Sequence, residues 1–408
     1  MNILFLSSTF PRFKGDSQAP FVLEQATAWK VARPNDHISV LAPHDQGIAE
    51  HEVIDGIRVH RFRYAWPVQW QKLAYPAILP NIRRRPILAL LVPLFLLAEI
   101  WATFKTVRRY RIDLVYAHWV FPQGLAALLT HLIKGTPFVL QNHSSDLSVL
   151  LKLPVVGARI ARLMIRRCIA FCCVNHHQYQ QMISLFRSEE VPEIESKTLV
   201  RPMGVGSLPS TSALDCDNMY EFATMSRLTR KKGIEHFIQA IRIANTSGAF
   251  ARIAIAGNGE LEDELKALVQ DANIDFLGFL SGEDKVRFMN QVRCFVVASI
   301  DAQGDVEGLP VSILEPLALG RLLITTYATN ITTLPEWNEL KDLVLIVENP
   351  ENHEEFATVL KRAMSLPDSE LKRICGSAAR ITNRYRWNNL IQEYLEFVEQ
   401  RYHSRANS

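Results

Sequence analysis

Short apolar runs alternate with longer segments of helical spacing along the whole chain. The runs at residues 3–6, 38–41, 114–117, 138–140, 171–174 and 199–201 contain almost no polar positions and read as strands buried on both faces. Buried strands separated by helix-length segments predict a parallel α/β sheet. The pattern then restarts, with a second series at 222–225, 253–256, 276–277, 295–298, 322–325 and 343–347. Between the two series, residues 203–212 are rich in Gly, Ser, Thr and Pro and read as a linker. The expected organisation is a first domain over 1–202, a linker over 203–219, a second domain over 220–385 and a terminal helix over 386–408, where Leu390, Tyr394 and Phe397 keep helical spacing. The expected fold class is α/β, with two Rossmann-like doubly wound parallel-sheet domains facing a cleft. Sheets of this kind bind ligands beyond the carboxyl ends of their strands, so the loops after the strands are where chemistry belongs.

Composition adds two constraints. At 408 residues, 48% hydrophobic and 21% charged, the chain is globular and too long for one core. Its net charge of +3 hides an asymmetry: residues 1–200 hold 23 Lys+Arg against 14 Asp+Glu, and residues 201–408 hold 22 against 28. The first half is therefore expected to face something anionic. Six cysteines show no CxxC spacing and several lie in apolar runs, which suits buried, reduced thiols in a cytosolic chain. No signal peptide is expected, because the first residues read at once as a core strand without a basic leader.

Among the post-strand loops, Glu307 and Glu315 stand eight residues apart, with Gly308, Leu309 and Pro310 after the first. Pro310 suits the first turn of a helix, and the amides near Leu309 and Val311 would then make an anion site, with Glu315 two turns into that helix. An acid on either side of a phosphate-attracting helix start suggests a nucleotide-sugar pocket; the plainer alternative is two solvated acids. After the strand at 222–225, Arg227 and Lys232 are placed to clamp a diphosphate, and Gly233 follows them. Alone, that loop would be no more than a basic turn in water. Gly257 and Gly259 permit close backbone approach, yet Glu262 stands where a dinucleotide fingerprint needs a third glycine, which argues against hydride transfer. In the first half, His118 and His143 end or follow parallel strands at the expected cleft edge, and Asp146 follows His143; either histidine could instead be structural. The first strand runs into a long loop whose Gly15 could pass close under a phosphate. Asp215 and Asp217 form an Asp-x-Asp pair, but it lies in the linker and reads as a solvated turn. No metal or other cofactor is expected.

The basic half also carries two basic-apolar segments. Arg83, Arg84 and Arg85 precede thirteen apolar residues at 86–98, interrupted by Pro93 and followed by Lys105, Arg108 and Arg109. Thirteen residues are too few to span a bilayer but could lie in its interface on anionic headgroups; a buried core helix is the alternative. Residues 155–168 place Arg159, Arg162, Arg166 and Arg167 on a helix with Ile160, Leu163 and Ile165, as a membrane-facing or merely solvated face.

Taken in order, the Gly15 loop, the His143 loop, Arg227 with Lys232 and Gly233, the Gly257–Gly259 turn and the Glu-x7-Glu element resemble the retaining GT-B glycosyltransferases of family 4. The resemblance spans nearly the whole chain and is strongest from about 221 to 320. It implies an NDP-sugar donor held mainly by the second domain, with Arg227 and Lys232 on its diphosphate, Glu315 on the ribose, Glu307 against the transferred sugar, and Gly257, Gly259, Gly308 and Leu309 among the donor-binding residues. It places Gly15 near the phosphate and His143 at the reacting centre, and has the terminal helix cross back to the first domain. Three elements depart from the family pattern: Met203-Gly204-Val205-Gly206 for Asn-Gly-Val-Asp, Thr332-Thr333-Leu334-Pro335-Glu336 for Gly-Gly-x-Pro-Glu, and His143-Ser144-Ser145-Asp146 for His-Gly-Ser-Asp. None removes the diphosphate clamp or the acidic pair. The leading expectation is a cytoplasmic, peripheral-membrane enzyme on the inner face of the cytoplasmic membrane. It would extend a lipid-linked or oligosaccharide acceptor in polysaccharide or glycolipid synthesis, with no nucleic-acid partner. The alternatives are a soluble synthase making a disaccharide or its phosphate, and a non-catalytic binder of nucleotide sugars.

Overall fold

The computed structural model describes residues 1–16, 18–143, 146–153, 155–206, 220–245, 252–269, 273–303 and 307–405. Contacts divide the chain into two compact units, one of Met1–Arg201 with Leu390–Ser408 and one of Pro202–Asn389. The last helix, Trp387–Ser404, thus begins in the second unit and belongs to the first from Leu390 onward.

Unit 1 is built on eight strands: β1 (Asn2–Leu6), β2 (His37–Pro43), β3 (His51–Ile54), β4 (Ile57–Phe62), β5 (Leu114–His118), β6 (Phe138–Asn142), β7 (Ala170–Cys173) and β8 (Thr198–Val200). Their order is β3-β4-β2-β1-β5-β6-β7-β8, parallel throughout except that β3 runs antiparallel to β4. Residues 3–6 of β1, flanked by β2 and β5, have no exposed surface, as a strand covered on both faces requires. The β3–β4 hairpin was not among the expected strands. Its residues alternate polar and apolar on a half-exposed edge, so a search for continuous apolar runs passes over them. The signal was nevertheless present at Asp55-Gly56, where φ values of 45° and 79° give the turn that two-residue hairpins favour.

Unit 2 carries β9 (Tyr220–Met225), β10 (Ile253–Ala256), β11 (Ile274–Gly278), β12 (Val292–Val297), β13 (Leu322–Thr326) and β14 (Leu345–Val347). All pair in parallel, in the order β11-β10-β9-β12-β13-β14. Counted from β9 this is the doubly wound 3-2-1-4-5-6 arrangement, whose order reverses between β9 and β12. One face is covered by helix Ile234–Ala244, which buries Ile234, Phe237, Ile238 and Ile241 at helical spacing and sets Phe237 against Phe356 of helix His353–Met364.

The chain enters and leaves unit 2 side by side. Val205 N donates to Tyr385 O at 2.8 Å and Trp387 N to Val205 O at 3.0 Å. Gly204 permits this approach, since a Cβ there would lie 2.4 Å from the Trp387 ring. Of the expected linker, residues 207–219 lie outside the described residues, and with them Asp215, Cys216 and Asp217. The other five cysteines are free and buried, and burial pushes the Cys168 and Cys172 thiols up to about 12.

The apolar segment after Arg85 forms a 3-10 turn (Pro86–Leu91) running into a helix (Val92–Tyr110). Together these 25 residues are long and apolar enough to cross a bilayer by length and composition, which corrects the count of thirteen. The helix nonetheless buries one face: Phe95, Ala102 and Val107 join the core of unit 1, and Phe95 meets Phe62 and Tyr64 edge-on. The opposite side leaves Ile87, Leu90, Leu94, Leu97 and Trp101 half or more exposed. Glu99 points into the core beneath that surface, 1% exposed, with Gln123 Nε2 donating to one of its oxygens at 2.8 Å. Burial pushes its carboxyl up to about 8, so it is uncharged at neutral pH.

Candidate functional site

In unit 2 the polar residues gather where the strand order reverses. The chain leaving β9 passes Arg227, makes a short 3-10 turn at Arg230–Lys232 and enters helix Ile234–Ala244 through Gly233 in the left-handed region, φ 59°. A Cβ on Gly233 would stand 2.1 Å from the Ala298 carbonyl, so the turn lies directly against the end of β12. The chain leaving β12 brings Glu307 to the same place. Lys232 Nζ meets Glu307 Oε1 at 2.7 Å, with side chains only 12% and 9% exposed. Burial pushes the Glu307 carboxyl up, but Lys232 foremost, with Lys231 and Arg227, outweighs it and holds the group below the usual carboxylate range. Arg227 itself is exposed.

Helix Val311–Ala318 follows, and Pro310 is its N-cap rather than a member of its first turn. Glu315 is therefore the fifth helical residue, little more than one turn in, where two turns were expected. It is 5% exposed and paired with Lys285 of helix Gly282–Asn290. Two contributors escaped the sequence reading. Lys285 sits on an amphipathic helix and gives no local signal. Asn330 takes a left-handed conformation, φ 58°, and its amide donates to Glu307 O at 2.7 Å and Gly308 O at 3.0 Å, fixing the backbone that carries the acid. An asparagine between two short turn-forming stretches was the available clue.

Gly257 and Gly259 bring two stretches of backbone into close approach. Gly257 has φ 133°, and a Cβ there would lie 1.9 Å from Ser226 O; one on Gly259 would lie 2.3 Å from Leu228 O. Leu228 N donates to Asn258 O at 3.0 Å, so the two glycines pack the β10 loop against the backbone carrying Arg227. Leu309 is 7% exposed and belongs to the hydrophobic core, anchoring the Glu307 loop from below. Glu336 accepts from Tyr385 and Arg384 and ties the turn after helix Asp368–Thr382 to the start of the short helix Trp337–Leu340.

In unit 1 the order reverses between β1 and β5, and His118 ends β5 there. Its Nδ1 lies 2.9 Å from His143 Nε2, just past β6. The pair sits among aromatic rings: Phe5 and Tyr116 beside His118, Phe21 and Trp119 beside His143, with centroids 4.9–5.2 Å apart. His118 has no exposed surface, whereas His143 keeps part of its own. Burial holds both imidazoles well below their ordinary value, His143 at about 3. Asp146 is 7% exposed, and its Oδ2 accepts from Val120 N at 2.6 Å, clamping the β5 loop. Gly15, exposed with φ 86°, lies in a turn closed by Asp16 N to Phe13 O and by Arg12, which pairs with Asp16 and Asp45. Ser144 and Ser145, between His143 and Asp146, lie outside the described residues. Among the described residues no three His, Cys, Asp or Glu side chains group as metal ligands would.

Residues 216–382 match the family "Glycosyl transferases group 1", and residues 18–192 match the "Glycosyl transferase 4-like domain". The chain belongs to the group 1 glycosyltransferases. Similar proteins include the amylovoran biosynthesis glycosyltransferase AmsK of Erwinia amylovora, 32% identical over 28% of this chain and 30% of that protein. The putative colanic acid biosynthesis glycosyltransferase WcaL of Escherichia coli K12 is 29% identical over 35% of this chain and 39% of its own length. The aligned stretches thus span well under two thirds of these relatives. Similarity of structure extends further. A sucrose-phosphate synthase from Thermosynechococcus elongatus matches 99% of this chain and all of its own at TM-score 0.71 and 14% identity. A trehalose-6-phosphate protein from E. coli, bound with UDP-2-fluoro glucose, matches 98% of this chain and 99% of its own at TM-score 0.69 and 12% identity. The fold is GT-B.

Proposed function

We propose that this protein transfers a sugar, with retention of anomeric configuration, from a nucleoside-diphosphate sugar to a lipid-linked glycan in polysaccharide synthesis. The observation that carries the donor assignment is the buried Lys232–Glu307 pair, with Arg227 nearby, at the reversal of strand order in unit 2. Doubly wound sheets bind nucleotides at that position. In the proposed complex the diphosphate takes over Lys232, and Arg227 closes on it from the exposed side. Charge leaving with the diphosphate is then met by fixed cations and by the first amides of helix Val311–Ala318, which have no partner inside the helix. Glu307, released from Lys232, turns to the sugar, and Glu315 offers its carboxylate to the ribose diol. His143 is assigned to hydrogen bonding with the substrate during transfer. Among these residues no second free carboxylate faces Glu307, so no nucleophile is assigned. Proton NMR of the first-formed product reads the anomeric outcome, and inversion would overturn retention.

Two further findings support the polysaccharide and lipid parts of the reading. The relatives named above carry polysaccharide-biosynthesis descriptions. Unit 1 exposes an apolar surface, with Ile87 at 69%, Leu90 at 71% and Leu97 at 65%, on a segment flanked by Arg83, Arg84, Arg85, Lys105, Arg108 and Arg109. Val155 and Val156 are exposed at the start of a second helix, Val156–Arg167, that carries Arg159 and Arg162. Apolar side chains with basic flanks suit the interface of an anionic bilayer, consistent with a peripheral enzyme on the cytoplasmic face. The donor test is binding and turnover of a panel of UDP-, GDP- and ADP-sugars by the wild type, Lys232→Ala and Glu307→Ala; wild-type activity unchanged in both variants overturns the site. Flotation with phosphatidylglycerol-containing vesicles tests the lipid surface, and no binding at low salt overturns it.

A further inference from the structure

The two histidines of unit 1 form a dyad whose geometry fixes more than their proximity. Their rings are inclined by 12° with centroids 5.1 Å apart, and the nitrogens of the contact are 2.9 Å apart. Two five-membered rings at that separation, joined through that contact, meet edge to edge in nearly one plane. This is an N–H···N hydrogen bond rather than a face-to-face stack. Burial keeps both rings uncharged, so a single proton lies between them.

Which ring owns that proton is decided at the far side of His118. The residue is fully buried, and among the described residues its Nε2 meets no hydrogen-bonding group. If His143 donated from Nε2, His118 would have to carry its own proton on Nε2, leaving an N–H without an acceptor inside the protein. Buried N–H groups without acceptors are the rarer kind of unmade hydrogen bond. If His118 donates from Nδ1, its Nε2 carries only a lone pair, and His143 keeps its proton on Nδ1, the nitrogen on the other side of its ring. We infer that His118 is a positioning residue that locks His143 as the Nδ1–H tautomer, a neutral hydrogen-bond donor toward an oxygen of a bound substrate. The recipient rests on the function proposed above; the tautomer does not. In this role His143 is not a general acid, and His118 acts only through it.

The test uses the full-length protein with ¹⁵N-labelled histidine, resonances being assigned with His118→Phe and His143→Ala. Long-range ¹H–¹⁵N correlation is expected to show His143 protonated at Nδ1 and bare at Nε2. In His118→Phe, which keeps a ring but loses the donor, the His143 pattern is expected to shift toward Nε2–H. Turnover of whichever UDP- or GDP-sugar the wild type accepts should fall at least tenfold, with its Kd within twofold. His118→Gln, whose amide N–H can replace the lost donor, is expected to recover most of both signals. Protonation of His143 at Nε2 in the wild type, or an unchanged pattern in a folded His118→Phe, overturns the inference. The expected tautomer together with normal turnover in His143→Ala would leave the dyad standing and overturn a substrate oxygen as its recipient.

Discussion

At the ends of β9 and β12 the polar groups are charged and matched in opposite pairs, Lys232 with Glu307 and Lys285 with Glu315. At the ends of β5 and β6 they are two uncharged imidazoles among aromatic rings, and the most deeply buried of the described acids of that unit, Glu99, holds its proton rather than finding a cation. Both arrangements satisfy the rule that a lone buried charge is not tolerated, one by pairing and one by neutralisation. The difference shows what each unit can offer a ligand. Unit 2 holds cations that an arriving anion can claim, with the carboxylates keeping their places beforehand. Unit 1 offers directed hydrogen bonds in a setting that disfavours added charge.

The largest effect should separate the units by function. Lys232→Ala is expected to weaken nucleotide-sugar turnover by about 10²–10³-fold, chiefly through lost stabilisation of the departing diphosphate. His143→Ala should lower turnover while leaving donor affinity within about threefold. Isothermal titration alongside initial rates reads both, and an equal loss of affinity in the two variants would break the comparison.

Glu99→Gln isolates neutralisation. A carboxyl near 8 in the fold and near 4.5 when unfolded makes the folded state bind the extra proton, so stability falls as pH rises between those values. The glutamine keeps an oxygen for Gln123 to donate to and removes that penalty. The variant should be more stable at pH 7 by about 3 kcal/mol, measured by urea unfolding, and the gain should vanish below pH 4.5.

Gly257→Ala probes how unit 2 holds its cations in place. With φ 133° and the Ser226 carbonyl 1.9 Å from the added carbon, the substitution should cost about 2–3 kcal/mol and displace the Arg227 loop. Thermal melting reads the first effect and donor affinity the second. A full-stability variant would show that the loop packs differently.

Acid should reach unit 1 first. Burial lowers His44, His60, His118, His131 and His143 there, and His236 in unit 2. A histidine held below 6.5 in the fold contributes stability that is present above that pH and lost as pH falls, by up to about 1.4 kcal/mol per pH unit each. Glu99 offsets one such contribution down to 4.5. Glu307, lowered in the fold, keeps its contribution until pH falls below the usual carboxylate value. Hydrogen exchange at pH 7.5 and 5.5 should therefore show protection lost across β5 and β6 before β9 and β12; simultaneous loss would erase the distinction.

Most of this contrast was legible in the sequence for unit 2 and little of it for unit 1. All twelve expected strands are present; most are buried on both faces and announce themselves as apolar runs, while β8 and β11 are half-buried. The pairing of Lys232 with Glu307 joins residues 75 positions apart, yet both follow strands that the order places side by side, so the loop argument brought them together. Lys285 had no such marker, since a lysine on an amphipathic helix looks the same whether it faces water or Glu315. His118 and His143 were placed at strand ends, but their direct contact depends on β5 and β6 being neighbours, which apolar runs do not reveal. The hairpin β3–β4 was missed because an edge strand alternates, and Asp55-Gly56 was the only local sign of it.

The small parallel contact between Val205 and Arg386 has a practical meaning. The ends of unit 2 leave it next to one another, and on the other side Arg201 is likewise held to the terminal helix, through Glu393 at 2.5 Å and Tyr394 at 3.0 Å. Unit 2 is therefore a cassette inserted in the sequence between residues 201 and 390, entered and left by the chain at one doorway, the topology in which a guest can be exchanged without rebuilding its host. Residues 202–389 should be expressible as a free-standing polypeptide, and the doorway marks where another donor-binding cassette of the same fold could be spliced in.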